Sequence, residues 1–138
     1  LMSRILVDTN ILVYLIDEES AFFERARQVV EKGEYQLVTT SKNLIEFLAV
    51  TTKFSGYNLS TGTALQIVGE FIDNFEIIYP SQESLAIFFD LMTRYQPKGL
   101  KVHDIEIISI GLANGLFDVA TFNAKDFKSV QEISVLKI

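Results

Sequence analysis

The sequence predicts an α/β fold around a mostly parallel sheet. Three observations carry this: short apolar or β-branched runs at Arg4–Val7, Gln36–Thr39, Phe75–Tyr79 and Phe117–Thr121, helical periodicity between them, and turn or capping residues at the junctions. No linker, internal repeat or low-complexity tract interrupts the pattern, so residues 1–138 are expected to form one domain.

Arg4–Val7 reads as a buried strand ending at Asp8, because Asp8-Thr9-Asn10 favours a turn or a helix N-terminus. In SAFFERARQVVEKG, Ser20 is placed to cap a helix, Phe22, Phe23, Ala26, Val29 and Val30 recur at helical spacing, and Gly33 closes it. Gln36–Thr39 is the second strand. Ser41 then caps a helix carrying Leu44, Ile45, Leu48 and Ala49, with a turn at Ser55-Gly56 at or just beyond its end.

Ser60–Asp73 repeats the helical pattern through Ala64, Leu65, Ile67, Val68, Phe71 and Ile72, and the third strand stops at Pro80. Ser81 opens a helix carrying Leu85, Ala86, Phe88, Phe89 and Met92. Core is the default destination of these apolar residues, and a partner surface is the alternative for some of them. Pro97 and Gly99 make Gln96–Lys101 a loop, after which His103 or Asp104 begins a helix with Ile107, Ile108 and Leu112 inward and Asn114-Gly115 at its end. Turn-rich NAKDF separates the fourth strand from a fifth at Ile133–Leu136.

Composition then narrows the chemistry. Twelve Lys plus Arg against 18 Asp plus Glu give a net charge of −6, which argues against coating nucleic acid by bulk charge but leaves room for a local basic rim. The absence of Cys excludes disulfides, thiolate metal sites and cysteine nucleophiles, and a single histidine, His103, excludes a His-rich zinc site. A metal held by several side chains would therefore rest mostly on carboxylate oxygen, the chemistry of Mg or Mn. The longest apolar run, Ile11–Ile16, is far short of the roughly 18 residues that span a bilayer, and LMSRILVDTN does not read as a secretory signal. A cytoplasmic protein without membrane contact is the expectation.

Four acidic positions stand where such chemistry could assemble. Asp8 follows the first strand, at the strand end where α/β sheets collect ligands, although capping the next helix explains it equally well. Glu46 lies between large apolar residues in LIEFL, where a buried carboxylate is costly unless paired or metal-bound; a solvent-facing side of the helix is the alternative. Asp104 opens a helix and could be its N-cap. Asp126 and Asn123 share the loop after the fourth strand and could be plain turn residues. If the strands carrying Asp8 and Thr121 are neighbours, these residues converge at one strand-end face. Such a carboxylate cluster repels itself, and a divalent cation neutralises it; held this way, Mg or Mn performs phosphoryl chemistry, which makes a phosphodiester hydrolase the economical inference.

These residues, Val7-Asp8-Thr9-Asn10, Glu46 in SKNLIEFLAV, VHDIEIISIGLANGL and TFNAKDF, taken in order over nearly the whole chain, resemble the PIN-domain ribonucleases, particularly the VapC type of toxin. The resemblance implies a three-layer α/β/α fold and a metal-dependent endoribonuclease using Mg or Mn on RNA, usually as a homodimer and often neutralised by a small antitoxin protein. By position it assigns metal binding and catalysis to Asp8, Glu46 and Asp104, and a supporting polar role to Thr9 and Asn10. The fourth metal position falls on Asn123 or Asp126, and both stay open. Lys98, Lys101, Lys125 and Lys128 flank Asp104 and Asp126 and could form an RNA-binding rim, or be ordinary solvated loop lysines. Two rivals remain: a phosphatase with Asp8 as nucleophile, for which Asn10 replaces the usual second aspartate, and a non-catalytic interaction domain on the same fold.

Overall fold

The computed structural model describes residues 2–138. Five parallel strands, β1 (Ser3–Val7), β2 (Tyr35–Thr40), β3 (Glu76–Ile78), β4 (Asp118–Ala120) and β5 (Ser134–Val135), form a sheet in the order β3-β2-β1-β4-β5. All pairings are parallel because each crossover between strands runs over a face of the sheet as helix or short helical turn. The helices are α1 (Thr9–Tyr14), α2 (Phe23–Glu31), α3 (Ser41–Thr52), α4 (Thr61–Asn74), α5 (Gln82–Tyr95), α6 (Lys101–Ala113) and α7 (Ala124–Phe127).

Strand alternation divides the core in two. Ile5 and Val7 of β1 point to a cluster completed by α1 to α4, including Ile11, Leu12, Phe47 and Phe71. Leu6, between them, points to the opposite face, where Leu91 of α5 and Ile105, Ile107, Ile108 and Ile110 of α6 pack with Phe127. The result is a three-layer α/β/α arrangement. Gly111 is what lets α6 approach the sheet so closely, since a Cβ there would stand 2.9 Å from Leu6 Cδ2.

Several boundaries depart from the sequence expectation for local reasons. Helix α2 starts at Phe23 rather than Ser20, because Ser20 spends its hydroxyl on a tight turn, accepting from the Phe22 N–H at 3.1 Å. The cap of α3 is Thr40, not Ser41: Thr40 Oγ1 accepts from the Asn43 N–H while the Asn43 side chain accepts from the Thr40 N–H, a reciprocal capping box. The buried stripe of α3 is Asn43, Leu44, Phe47 and Thr51, so of the apolar residues at helical spacing Ile45 and Ala49 face outward. Similarly, Leu65, Ile72, Leu85 and Phe89 are exposed rather than core. Helix α6 begins at Lys101, earlier than expected, and its N-cap position is Leu100. Among the described residues no helix is long and apolar enough to cross a membrane.

Candidate active site

The sheet order changes direction between β1 and β4, and the carboxyl ends of these two strands flank the crevice where open α/β sheets bind ligands. Register places Val7 opposite Ala120, so Asp8 and Thr121 leave the sheet side by side. The condition for convergence is met.

Asp8 is 8% exposed, and its carboxylate is held by the protein on both oxygens. Oδ1 accepts from the Thr9 N–H at 2.9 Å and from Asn43 Nδ2 at 3.4 Å; Oδ2 accepts from Thr121 Oγ1 at 2.8 Å. Burial pushes the Asp8 carboxyl above its ordinary value against the pull of these donors, and the charge of Glu46 adds to the rise. A carboxylate with both oxygens committed is poorly disposed to attack phosphorus, which disfavours the aspartyl-nucleophile reading.

The supporting residues interlock around it. Asn43 Nδ2 also donates to Thr9 Oγ1 at 2.9 Å, tying the start of α1 to the start of α3. Thr121 Oγ1 accepts from Asn10 Nδ2 at 3.2 Å and from the Asn123 N–H at 2.9 Å, and Asn10 Oδ1 accepts from the Phe122 N–H at 3.2 Å. Thus Thr9 touches Asp8 directly through its backbone N–H, while the side chains of Thr9 and Asn10 serve it at one remove, through Asn43 and Thr121. Neither Asn43 nor Thr121 was identified as a site residue from sequence. The T-x-x-N pattern of Thr40 and Asn43 carries a capping signal, and Thr121 followed from the strand register alone.

Asp104 lies one turn inside α6 and is not its cap, so its carboxylate is free of the capping duty that sequence allowed. Burial, then the charges of Asp8, Asp126 and Glu46, raise its pKa to about 6, with His103 pulling the other way. Glu46 is exposed on α3, contrary to a buried apolar setting, yet its charge reaches both Asp8 and Asp104. Of the two residues open at the fourth position, Asp126 is the one whose charge reaches Asp104, whereas Asn123 donates its amide to Asp126 Oδ2 at 2.8 Å.

Among the described residues no three of these acidic side chains are turned closely enough to grip one ion together. Asp126 instead leans toward Lys101 Nζ at 3.7 Å. Lys101, expected in an RNA rim, is therefore occupied with Asp126, and with Lys98 it lines a cleft of about 340 Å³ beside it. Lys125 and Lys128 are exposed on and after α7. By donor chemistry the set nonetheless fits a hard divalent cation: it offers oxygen only, and its mutual repulsion is what such an ion relieves.

The PIN domain family matches residues 5–133. The chain belongs to this family. The fold of this PIN domain is shared with VapBC2 of Rickettsia felis bound to a promoter DNA fragment (20% identity, TM-score 0.72, covering 95% of this chain and 96% of the other). It is shared equally with a toxin–antitoxin complex of Klebsiella pneumoniae (23% identity, TM-score 0.71, covering 96% of each chain). A third structure is VapC20 of Mycobacterium tuberculosis, a sarcin–ricin loop cleaving toxin (13% identity, TM-score 0.72, covering 91% of this chain and 94% of the other). No curated protein matches the chain.

Proposed function

We propose that this PIN domain is a metal-dependent endoribonuclease, the toxin of a toxin–antitoxin pair. The observation that supports it most is Asp104, raised to about 6 by burial and by the charges of Asp8, Asp126 and Glu46 at the switch point of the sheet. The mutual repulsion of these carboxylates, only partly offset by Lys101 beside Asp126, is what a divalent ion would relieve.

Asp8, Asp104 and Asp126 would hold the ion with Glu46, and Asn123 would steady Asp126. Bound Mg or Mn would acidify water and neutralise charge on the phosphate. Glu46, whose charge reaches Asp8 and Asp104, would accept a proton from the water that attacks phosphorus. The bond to the ribose 3′-oxygen would then break, that oxygen taking a proton from solvent water, to leave a 5′-phosphate and a 3′-hydroxyl. Asp8 is fixed by Thr121, Thr9 and Asn43, so its position is set before substrate arrives.

The relatives of shared fold occur in toxin–antitoxin complexes, and exposed Ile45, Leu65, Ile72, Leu85 and Phe89 offer apolar surface for a second copy or for an antitoxin. An oligonucleotide of the sarcin–ricin loop and total ribosomal RNA are the first substrates to test. Cleavage with Mn that is lost in EDTA and in Asp104→Asn, with 5′-phosphate ends, is expected; cleavage that survives both would refute the metal site. A folded wild type that cleaves neither RNA and binds no Mn would favour a non-catalytic interaction domain.

A further inference from the structure

We propose that the cleft beside Thr121 is a track for single-stranded RNA flanking the cleaved bond, an inference that rests on the ribonuclease reading. The cleft has a volume of about 470 Å³, in the range of ligand sites. Thr121, whose hydroxyl holds Asp8, forms part of its wall, so the cleft borders the candidate active site through this residue.

Its walls combine rings and cations. Phe22 and Phe122 lie with centroids 5.0 Å apart, and Tyr14 packs against them at 5.0 and 5.6 Å. The exposed Arg25 guanidinium rests over both rings, 4.9 Å from the Phe22 centroid and 5.3 Å from that of Phe122. A guanidinium held over aromatic rings in this way offers a cationic group against which a base can pack. Lys128 and Lys137 also line the cleft, and no acidic side chain does.

Cations without an ion pair gather at this cleft. Arg4, Arg27, Lys42, Arg94 and Lys101 are engaged in ion pairs; of the seven Lys and Arg with no ion-pair partner among the described residues, Arg25, Lys128 and Lys137 line this cleft, while Lys32, Lys53, Lys98 and Lys125 lie outside it. In a chain of net charge −6 whose carboxylates repel a phosphate backbone, three free cations gathered at the border of the site offset that repulsion on one side. A second cleft of about 240 Å³ shares Arg25 and Lys137 and continues to Lys32, with Glu34 as its one acidic side chain, so the track extends past a single nucleotide. Stacking planes interleaved with point charges are what an unpaired strand requires. An acidic peptide would use the cations but leave the rings without a role.

The test is fluorescence anisotropy with an end-labelled 12-nucleotide single-stranded RNA of mixed sequence, together with cleavage kinetics and Mn calorimetry on the same proteins. Arg25→Ala is expected to weaken RNA binding by about tenfold, and Arg25→Lys, which keeps the charge but not the plane, to recover only part of it. Lys128→Ala with Lys137→Ala should lower the salt slope of binding to this single strand by about 1.4. In each variant KM rises while kcat and Mn affinity stay at wild-type values. All three positions are solvent-accessible, so the variants are expected to fold. Unchanged RNA affinity in Arg25→Ala and in the double-lysine variant, with wild-type cleavage intact, overturns the track and leaves the ribonuclease reading standing. Displacement of the RNA by an equimolar polyglutamate peptide also overturns it, marking the cleft as an anion site for a protein segment. Absence of Mn binding and of cleavage in the wild type itself is the separate signature of a failed ribonuclease reading, and the track falls with it.

Discussion

Thr121 Oγ1 donates to Asp8 Oδ2 at 2.8 Å across the seam between β1 and β4, joining residues 113 positions apart. The same oxygen accepts from Asn10 and from the Asn123 backbone, so one hydroxyl joins the loops after both strands. Removing it strips a buried carboxylate of a donor. Thr121→Val is expected to cost about 1–3 kcal/mol in urea unfolding and to weaken Mn binding about 10–100-fold, whereas Thr121→Ser retains most of both. Equal behaviour of the two variants would contradict the role given to the hydroxyl.

Asn43 performs two duties with one side chain. Its oxygen closes the capping box of α3 with Thr40, and its amide spans Thr9 and Asp8. Asn43→Ala is expected to destabilise the protein by about 1–2 kcal/mol and to reduce Mn affinity as well. An exposed capping residue would show the first effect without the second.

A sign follows for pH. The Asp104 pKa in the folded chain, about 6, lies above its ordinary 3.8, so between these values the folded form holds a proton the unfolded form has released. Its contribution to stability is fully present below about 4 and is lost as pH rises through about 6. In EDTA, the melting temperature should therefore fall between pH 5 and pH 7.5. Asp8, raised mainly by burial, acts in the same sense, so Asp104→Asn should reduce this slope without abolishing it. Mn binding at pH 5.5 should be weaker than at 7.5 and release more protons, measurable by calorimetry in buffers of different ionisation enthalpy.

At Gly111 the helix and sheet meet with no room for a side chain. An added Cβ would lie 2.9 Å from Leu6 Cδ2, and Leu6 is itself enclosed in the core. Gly111→Ala is expected to cost about 1–3 kcal/mol in chemical denaturation. A neutral or stabilising effect would mean that Leu6 can move aside freely.

How far the sequence could be read depended on whether a residue's neighbours were local. The strands, the Ser60 and Ser81 caps and the order of the acidic motifs were legible because each is written in adjacent residues. The inward face of α3 was not. Its run LIEFLAV is apolar almost all round, and the true buried stripe includes two polar residues, Asn43 and Thr51. Their bonds are to the N-terminal box and to the Phe47 carbonyl, partners that hydrophobic periodicity does not weigh. For the same reason the sequence left Glu46 open between an apolar setting and the solvent side, and it lies on the solvent side. The start of α6 moved because Leu100 makes no side-chain cap; the loop itself supplies the first turn, with the Val102 N–H donating to the Gly99 carbonyl at 3.1 Å. The tie between Asp8 and Thr121 is a property of strand order, which local pattern does not encode.

The most direct test of the carboxylate site is Mn calorimetry on the folded wild type beside Asp8→Asn and Asp104→Asn, with circular dichroism to establish that all three are folded. Tight binding by the wild type that either substitution abolishes is the predicted result. Wild-type binding that is absent, or that both variants retain, would contradict the site.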